Sequence, residues 1–309
     1  MKVSIIIPVK KINHYIHESI PYLLNLDYKD YEIIILPDEK EELDKVRIIP
    51  TGNIGPAEKR DIGAKHAKGS ILCFLDDDSY PRKDWLKKMV RHFSNKNIAA
   101  VGGPAITPSN DNKKQKASGL VLSSFLGGGG MTYRYVPGKL RYVDDYPSVN
   151  LSVRKDVFDK INGFDTHYWP GEDTKLCLDI VNLGYKIIYD PDVLVYHHRR
   201  ELFLPHLKQV VRYSIHRAFF CKKFPKTSLR AGYFIPTLFV LFLIFGAIFS
   251  FVVPYFNYPY ISVISLYALG LLFTGVWNKS FLVMPGILFT HLTYGIGFIK
   301  GLLVRELKQ

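Results

Sequence analysis

The chain has 309 residues, 48% of them hydrophobic, with 41 Lys and Arg against 28 Asp and Glu for a net charge of +13. Such a length holds one large domain with its own core plus an appendage, and three isolated cysteines (Cys73, Cys177, Cys221) exclude a disulfide framework or a zinc site and fit a reducing cytosol. From Glu201 onward 11 basic residues face 2 acidic ones; because this excess flanks long apolar runs, it points to an anionic membrane surface rather than nucleic acid.

In chain order, VSIIIP (3–8) is a continuous β-branched run closed by proline, which predicts a buried strand. The apolar run of MKVSIIIPVKK is too short for a signal-peptide core, so the first domain is expected in the cytoplasm. A helical pattern follows at about 13–25, strands at 31–36 and 45–50, a helix over 56–69 and a strand over 70–75. Strands alternating with helices predict a mostly parallel, doubly wound α/β sheet with both faces covered. A strand at 98–103 comes next, and then periodicity fails from about 104 to 145, a polar stretch holding KKQK and GGGG. It reads either as a surface linker or as a mobile loop over a site. Strands and helices resume with 147–153, 154–162, 172–183, 185–189 and 192–197.

Residues 202–226 are basic and amphipathic: Phe203, Leu207, Val210, Val211, Ile215 and Phe219 recur at helical spacing, with Lys208, Arg212 and His216 opposite. A helix of this kind lies in a membrane interface. The uncharged run 232–253 exceeds the roughly 20 residues that span a bilayer, and 260–277 is nearly as long. Lys222, Lys223, Lys226 and Arg230 before the first span and Lys279 after the second place the first domain on the cytoplasmic side of a multi-pass cell-membrane protein. A third run, 281–303, carries His291 and Lys300; the sequence leaves open whether it spans. The expected division is 1–200 catalytic, 201–230 interfacial and 231–309 membrane.

The stretch ILCFLDDDSYP (71–81) ends a strand in three aspartates, at the sheet edge where doubly wound folds bind ligands. One aspartate can cap the helix expected near Pro81. Three converging carboxylates repel unless a cation neutralises them, which suits Mg²⁺ or Mn²⁺ shared with substrate phosphates. Two other metal–carboxylate classes are excluded: the residues after the run break the DxDx[TV] phosphatase pattern, and no GxxxxGK[ST] loop exists.

SIIIPVK (4–10), NIGPAEKRDIGAKHAKGSILCFLDDDSYP (53–81), VNLSVRKDVFDKINGFD (149–165) and WPGEDTKLCLDI (169–180) stand in the order and spacing of one family. Over about residues 1–200 the sequence resembles glycosyltransferase family 2, of the GT-A fold. The resemblance implies a nucleotide-sugar donor bordered by Pro8, Val9, Lys10 and Asp38, with Arg60, Asp76 and Asp77 on its sugar and phosphate side. It implies a metal on Asp78, with Asp76 and His197 (for which a core or interface histidine is the competing reading), and an acceptor side at Asn150, Trp169 and Gly171. Glu172 and Asp173 are the implied catalytic pair, Asp173 taking the proton of an acceptor hydroxyl so that attack inverts the anomeric centre. Arg199 and Arg200 read as contacts to phosphate or a lipid headgroup. For Arg60, a surface helix charge is the competing reading; for Glu172 and Asp173, it is a favourable interaction with a helix N-terminus. Two departures stand out: LPDEK replaces the family's Asp-Asp-Gly-Ser around Asp38, and Arg60 is followed by Asp61 instead of Asn. The expected function is a membrane-bound, metal-dependent inverting glycosyltransferase acting on a hydroxyl of a lipid-linked or cell-surface glycan. The alternatives are transfer to a polyprenyl phosphate, a sugar nucleotidyltransferase (disfavoured because PVKKINHYIH has no glycine) and a non-catalytic membrane scaffold.

Overall fold

The computed structural model describes residues 1–307 except His167. The described residues divide into two compact units, one of residues 1–108 and 133–198, the other of 109–132 and 199–307.

The first unit opens with β1 (Val3–Pro8), α1 (His14–Leu24), β2 (Tyr31–Leu36), β3 (Arg47–Ile48), α2 (Pro56–His66), β4 (Ile71–Leu75), β5 (Ser79–Pro81), α3 (Trp85–Val90), β6 (Ile98–Gly102) and β7 (Ala105–Ile106). The chain then enters the second unit with α4 (Lys113–Ser123) and α5 (Phe125–Gly128). It returns with β8 (Arg141–Val143), β9 (Asn150–Arg154), α6 (Lys155–Lys160), α7 (Glu172–Asn182), β10 (Lys186–Tyr189) and β11 (Val195–His197). The second unit continues with α8 (Leu204–Lys223), α9 (Pro225–Ser228), α10 (Ile235–Val252), α11 (Asn257–Trp277) and α12 (Val283–Leu303).

The main sheet has the order β3-β2-β1-β4-β9-β6-β10-β8, and β5-β11-β7 form a small second sheet. Strand β1 is parallel to β2 and β4, as the alternating pattern predicts. The sheet is nevertheless mixed, because β9 runs antiparallel between β4 and β6 and β8 runs antiparallel to β10. Alternation in the buried strands sorts two cores. Ile5, Ile7, Ile33, Ile35 and Cys73 face α1 and α3, whereas Ile6, Ile34, Leu72 and Phe74 face α2, α6 and α7.

The stretch 104–145 is neither a linker nor a single loop: it holds two strands and two helices and is shared between the units. Helix α4 is fastened within the second unit by His206, whose ring lies 2.8 Å from Ser118 Oγ and 2.9 Å from Thr290 Oγ1. Thr290 gives its own hydrogen to Gly286 O, so His206 Nε2 carries the proton and Nδ1 accepts from Ser118. Burial lowers the His206 pKa to about 4, which keeps the ring neutral. The low-hydrophobicity sequence KKQKASG hides this helix; its buried face is made of Ala117, Ser118, Gly119 and Val121.

Candidate active site

The carboxyl ends of β1, β2 and β4 and the start of α7 bring polar groups together. The end of β1 and the end of β2 are joined by Lys59, which is 3% exposed on the inner face of α2. Its ammonium donates to Val9 O (2.8 Å), Leu36 O (3.1 Å) and Asp38 Oδ1 (2.5 Å), so both strand ends and Asp38 are held as one piece. Pro8 and Val9 are buried, Lys10 is exposed, and the Lys10 carbonyl accepts from Asp38 N–H. Lys59 is therefore a site-forming residue that the family motifs do not mark; its signal is a lysine beside Arg60 on an inward face otherwise made of Ala57, Gly63 and Ala64.

Arg60 is not a surface charge. It is 3% exposed and bridges two motifs 96 residues apart, donating through Nη2 to Asp76 Oδ1 (2.7 Å) and through Nη1 to Glu172 Oε1 (2.9 Å). Its guanidinium also lies 5.6 Å from the centre of the Phe164 ring. The next residue, Asp61, accepts from Phe164 N–H at 2.9 Å and fixes the turn that carries that ring; burial pushes its pKa up to about 6.

Beyond β4 the three aspartates separate. Asp78 is 7% exposed, and its Oδ1 lies 3.1 Å from Nε2 of His197 at the end of β11. Asp76, Asp78 and His197 each present one ligand atom, all within 4.8 Å of one another. Two carboxylates and one imidazole at this spacing fit a divalent cation, and the mixed O and N donor set suits Mn²⁺ at least as well as Mg²⁺. Asp77 departs from the sequence expectation: its Oδ2 accepts from Asn13 Nδ2 at 2.6 Å, and Asn13 in turn caps α1. It caps no helix of its own, because α3 begins only at Trp85, after Asp84.

On the opposite side of Arg60, α7 starts after Gly171, whose φ of +116° only glycine adopts without strain. Trp169, before it, is 58% exposed. Glu172 is buried and its second oxygen accepts Gly171 N–H at 3.0 Å. Asp173 accepts Thr174 N–H (2.8 Å) and Ser148 N–H (3.3 Å). Its pKa is pushed up to about 7, by burial first, then by the Glu172 and Asp145 charges, against the opposing pull of the Ser148 N–H and of Arg134. Asp145 is itself buried, held by Arg134 Nη2 at 2.9 Å and by the Thr174 hydroxyl at 3.0 Å. A half-buried carboxylate of raised proton affinity, fixed by backbone donors, is suited to take a proton.

Asn150 is a second correction. Completely buried, it accepts from Trp85 Nε1 and donates to Gly103 O and Val193 O, so its amide welds β9 to its neighbours and does not line an acceptor site. Arg199 and Arg200 fall in the second unit, where Arg199 is buried with its N–H on Asp111 Oδ2 (3.3 Å) and Arg200 is exposed.

A mixed α/β sheet of this order, with a carboxylate cluster after its fourth strand and an acidic pair opening a late helix, defines a GT-A-type glycosyltransferase. The profile of glycosyl transferase family 2 matches residues 4–161, and the chain belongs to that family. It is 25% identical to a dolichyl N-acetyl-α-D-glucosaminyl phosphate 3-β-D-2,3-diacetamido-2,3-dideoxy-β-D-glucuronosyltransferase of Methanococcus voltae, over 97% of each chain. A pre-mycofactocin glycosyltransferase of Mycobacterium tuberculosis is 31% identical over 150 residues, 48% of this chain; the chain spans only about a third (31%) of that enzyme's length. Among solved structures, the mannosyltransferase PcManGT of Pyrobaculum calidifontis, in complex with GDP-Man and Mn²⁺, superposes with a TM-score of 0.65 at 15% identity, over 95% of this chain and 86% of its own. That likeness is one of fold.

Proposed function

We propose that the chain is an inverting, metal-dependent glycosyltransferase working at a cytoplasmic membrane surface, moving a sugar from a nucleotide-diphosphate sugar to a hydroxyl of a lipid-linked glycan. The observation that carries this reading is Arg60, whose buried guanidinium ties the part-exposed Asp76 carboxylate of the cation cluster to Glu172 of the Glu172–Asp173 pair. Donor and acceptor chemistry are thereby set on the two sides of a single guanidinium. Asp76, Asp78 and His197 would hold a divalent cation, and the chemistry supplied there is neutralisation of charge on the leaving diphosphate. Asp173 takes the proton from the attacking hydroxyl. Pro8, Val9, Lys10 and Asp38 border the nucleotide, with Asp38 oriented by Lys59.

A hydroxyl acceptor is favoured over a polyprenyl phosphate because a phosphate is already ionised and needs no base, whereas the raised proton affinity of Asp173 serves one. The Methanococcus voltae enzyme, alike over its whole length, is named for transfer onto a dolichyl-phosphate-linked sugar, which agrees with this choice. Titrating the detergent-solubilised protein with UDP-, GDP-, CMP- and dTDP-sugars, with and without Mn²⁺, tests the donor side. Asp78→Ala is expected to abolish the metal-dependent part of binding; full metal-dependent binding in that variant would sink the proposal.

A further inference from the structure

The turn from α4 into α5 lies in a stretch, 117–133, with no Asp, Glu, Lys, Arg or His, while Lys113, Lys114 and Lys116 stand exposed at the start of α4. Phe125, at the turn, is 86% exposed. A single exposed phenylalanine is ordinary on a protein surface, so its surroundings decide its meaning. The turn satisfies its own backbone. Ser124 Oγ donates to Val121 O (3.0 Å) and accepts Gly127 N–H (3.1 Å), and Gly128 N–H donates to Ser124 O (2.7 Å). A Cβ on Gly127 or Gly128 would fall 2.1 Å from Val121 O or 2.0 Å from Leu122 O, so these two glycines let the turn fold back on the end of α4. Leu126 O accepts from His291 Nε2 of α12 at 3.0 Å, which places the ring proton on Nε2. Nδ1 then accepts from the Tyr267 hydroxyl of α11 at 2.9 Å. An uncharged turn whose carbonyls are answered within the protein suits surroundings that offer no water to bond.

The same histidine sets the level of the turn. The Phe239 ring of α10 has its centre 4.5 Å from that of Tyr267 and 6.4 Å from that of His291. Helix α10 holds 18 uncharged residues, about 27 Å at 1.5 Å each, close to the ~30 Å of a bilayer's hydrocarbon. As a crossing helix it starts near one edge of the hydrocarbon, and Phe239, four residues past Ile235, lies about 6 Å inside along the axis. Tyr267, His291 and Leu126 share that level through their contacts. Leu126 also packs beside Gly270, on a part of α11 that exposes Leu266, Leu269 and Phe273. Interfacial elements bury their apolar side to roughly 5–10 Å, the depth found here. Lys116 precedes Ser123 by about 10 Å of helix, so its long side chain reaches the headgroups while the turn is immersed.

We infer that residues 120–128 dip into the acyl boundary of the leaflet in which α10 starts, with Phe125 among the lipid chains and Lys113, Lys114 and Lys116 at the headgroups. The inference rests on the membrane-bound reading through α10 and is the same whether or not α12 crosses. It assigns the uncharged part of the 104–145 stretch to fastening the second unit to one leaflet.

The unaltered chain tests it in vesicles of phosphatidylcholine and phosphatidylglycerol that include a phospholipid carrying a diazirine on an upper acyl carbon. After illumination, trypsin separates residues 117–134, which hold the turn, from 231–279, which hold α10 and α11. Adducts are expected on both fragments, those of the first confined to 120–128. Adducts on 231–279 with none on 117–134 overturn the inference and leave the membrane reading standing; none on either fragment removes both. Depth is read separately from Phe125→Cys carrying bimane, with Cys73, Cys177 and Cys221 replaced. A nitroxide near the top of the acyl chain should quench this probe more strongly than aqueous iodide does. Stronger quenching by iodide places residue 125 in water and overturns the inference.

Discussion

Asp173→Asn is expected to lower turnover by about 10²–10⁴-fold while leaving nucleotide-sugar affinity unchanged, the signature of a lost general base. The isosteric amide still accepts the Ser148 N–H or the Thr174 N–H, so the start of α7 keeps its shape. In the parent enzyme kcat/KM should rise with pH and reach half its plateau near pH 7, because the base works only when deprotonated and its pKa is raised to about 7. Charges facing the carboxylate are Glu172 on its own helix, Asp145 and Arg134 from the preceding segment, and Arg60 from α2. Asp145→Asn removes a repelling charge and keeps an oxygen for the Thr174 hydroxyl, so the rise should move to lower pH. The same pKa has a stability consequence of definite sign. Between the ordinary aspartate value of 3.8 and about 7 the folded chain keeps a proton the unfolded chain has released, so this residue makes stability fall as pH rises through that window. Thermal unfolding in detergent should show a shallower slope in Asp173→Asn than in the parent, most clearly between about pH 6 and 7, above the window in which the raised pKa of Asp61 contributes a slope of the same sign. A pH–rate profile unchanged by Asp173→Asn would remove the residue from the chemistry.

How much of this is legible in the sequence follows from what each residue answers to. The central strands are readable because VSIIIP, YEIIIL and ILCFL are buried on both faces and carry no competing pattern. The aspartates and His197 are readable as a cluster because strand ends put them at one sheet edge. Their division of labour is not: Asp77 is committed by Asn13, 64 residues away in sequence, and no local rule reports such a partner. Asn150 misleads for a related reason, since its motif neighbours belong to the site while its own amide satisfies buried carbonyls of Gly103 and Val193. The stretch 104–145 is opaque because its segments bury small or polar faces. Arg134 and Asp145, the pair behind Asp173, fall inside it and repeat no motif.

Arg60→Met tests the network from its centre and should be the most destabilising change in the site. Removing one member of a buried ion cluster leaves the others without compensation, which costs about 3–5 kcal/mol. Glu172 would then be a buried carboxylate that has lost its cation and keeps the Gly171 N–H as donor. Arg60→Lys should not rescue it, because an ammonium has no planar fork to reach Asp76 Oδ1 and Glu172 Oε1 together. Adding Glu172→Met to Arg60→Met replaces the pair by apolar groups of similar length, an exchange that is often neutral for stability. The double variant is therefore expected to regain most of the lost unfolding free energy and none of the turnover. Recovery of both would reduce the bridge to packing. Recovery of stability alone assigns the guanidinium to holding Asp76 and the start of α7 in register, and a metal titration monitored without acceptor separates the two ends. Weakened Mn²⁺ affinity in the stable double variant places the effect at Asp76, whereas unchanged affinity places it at Asp173.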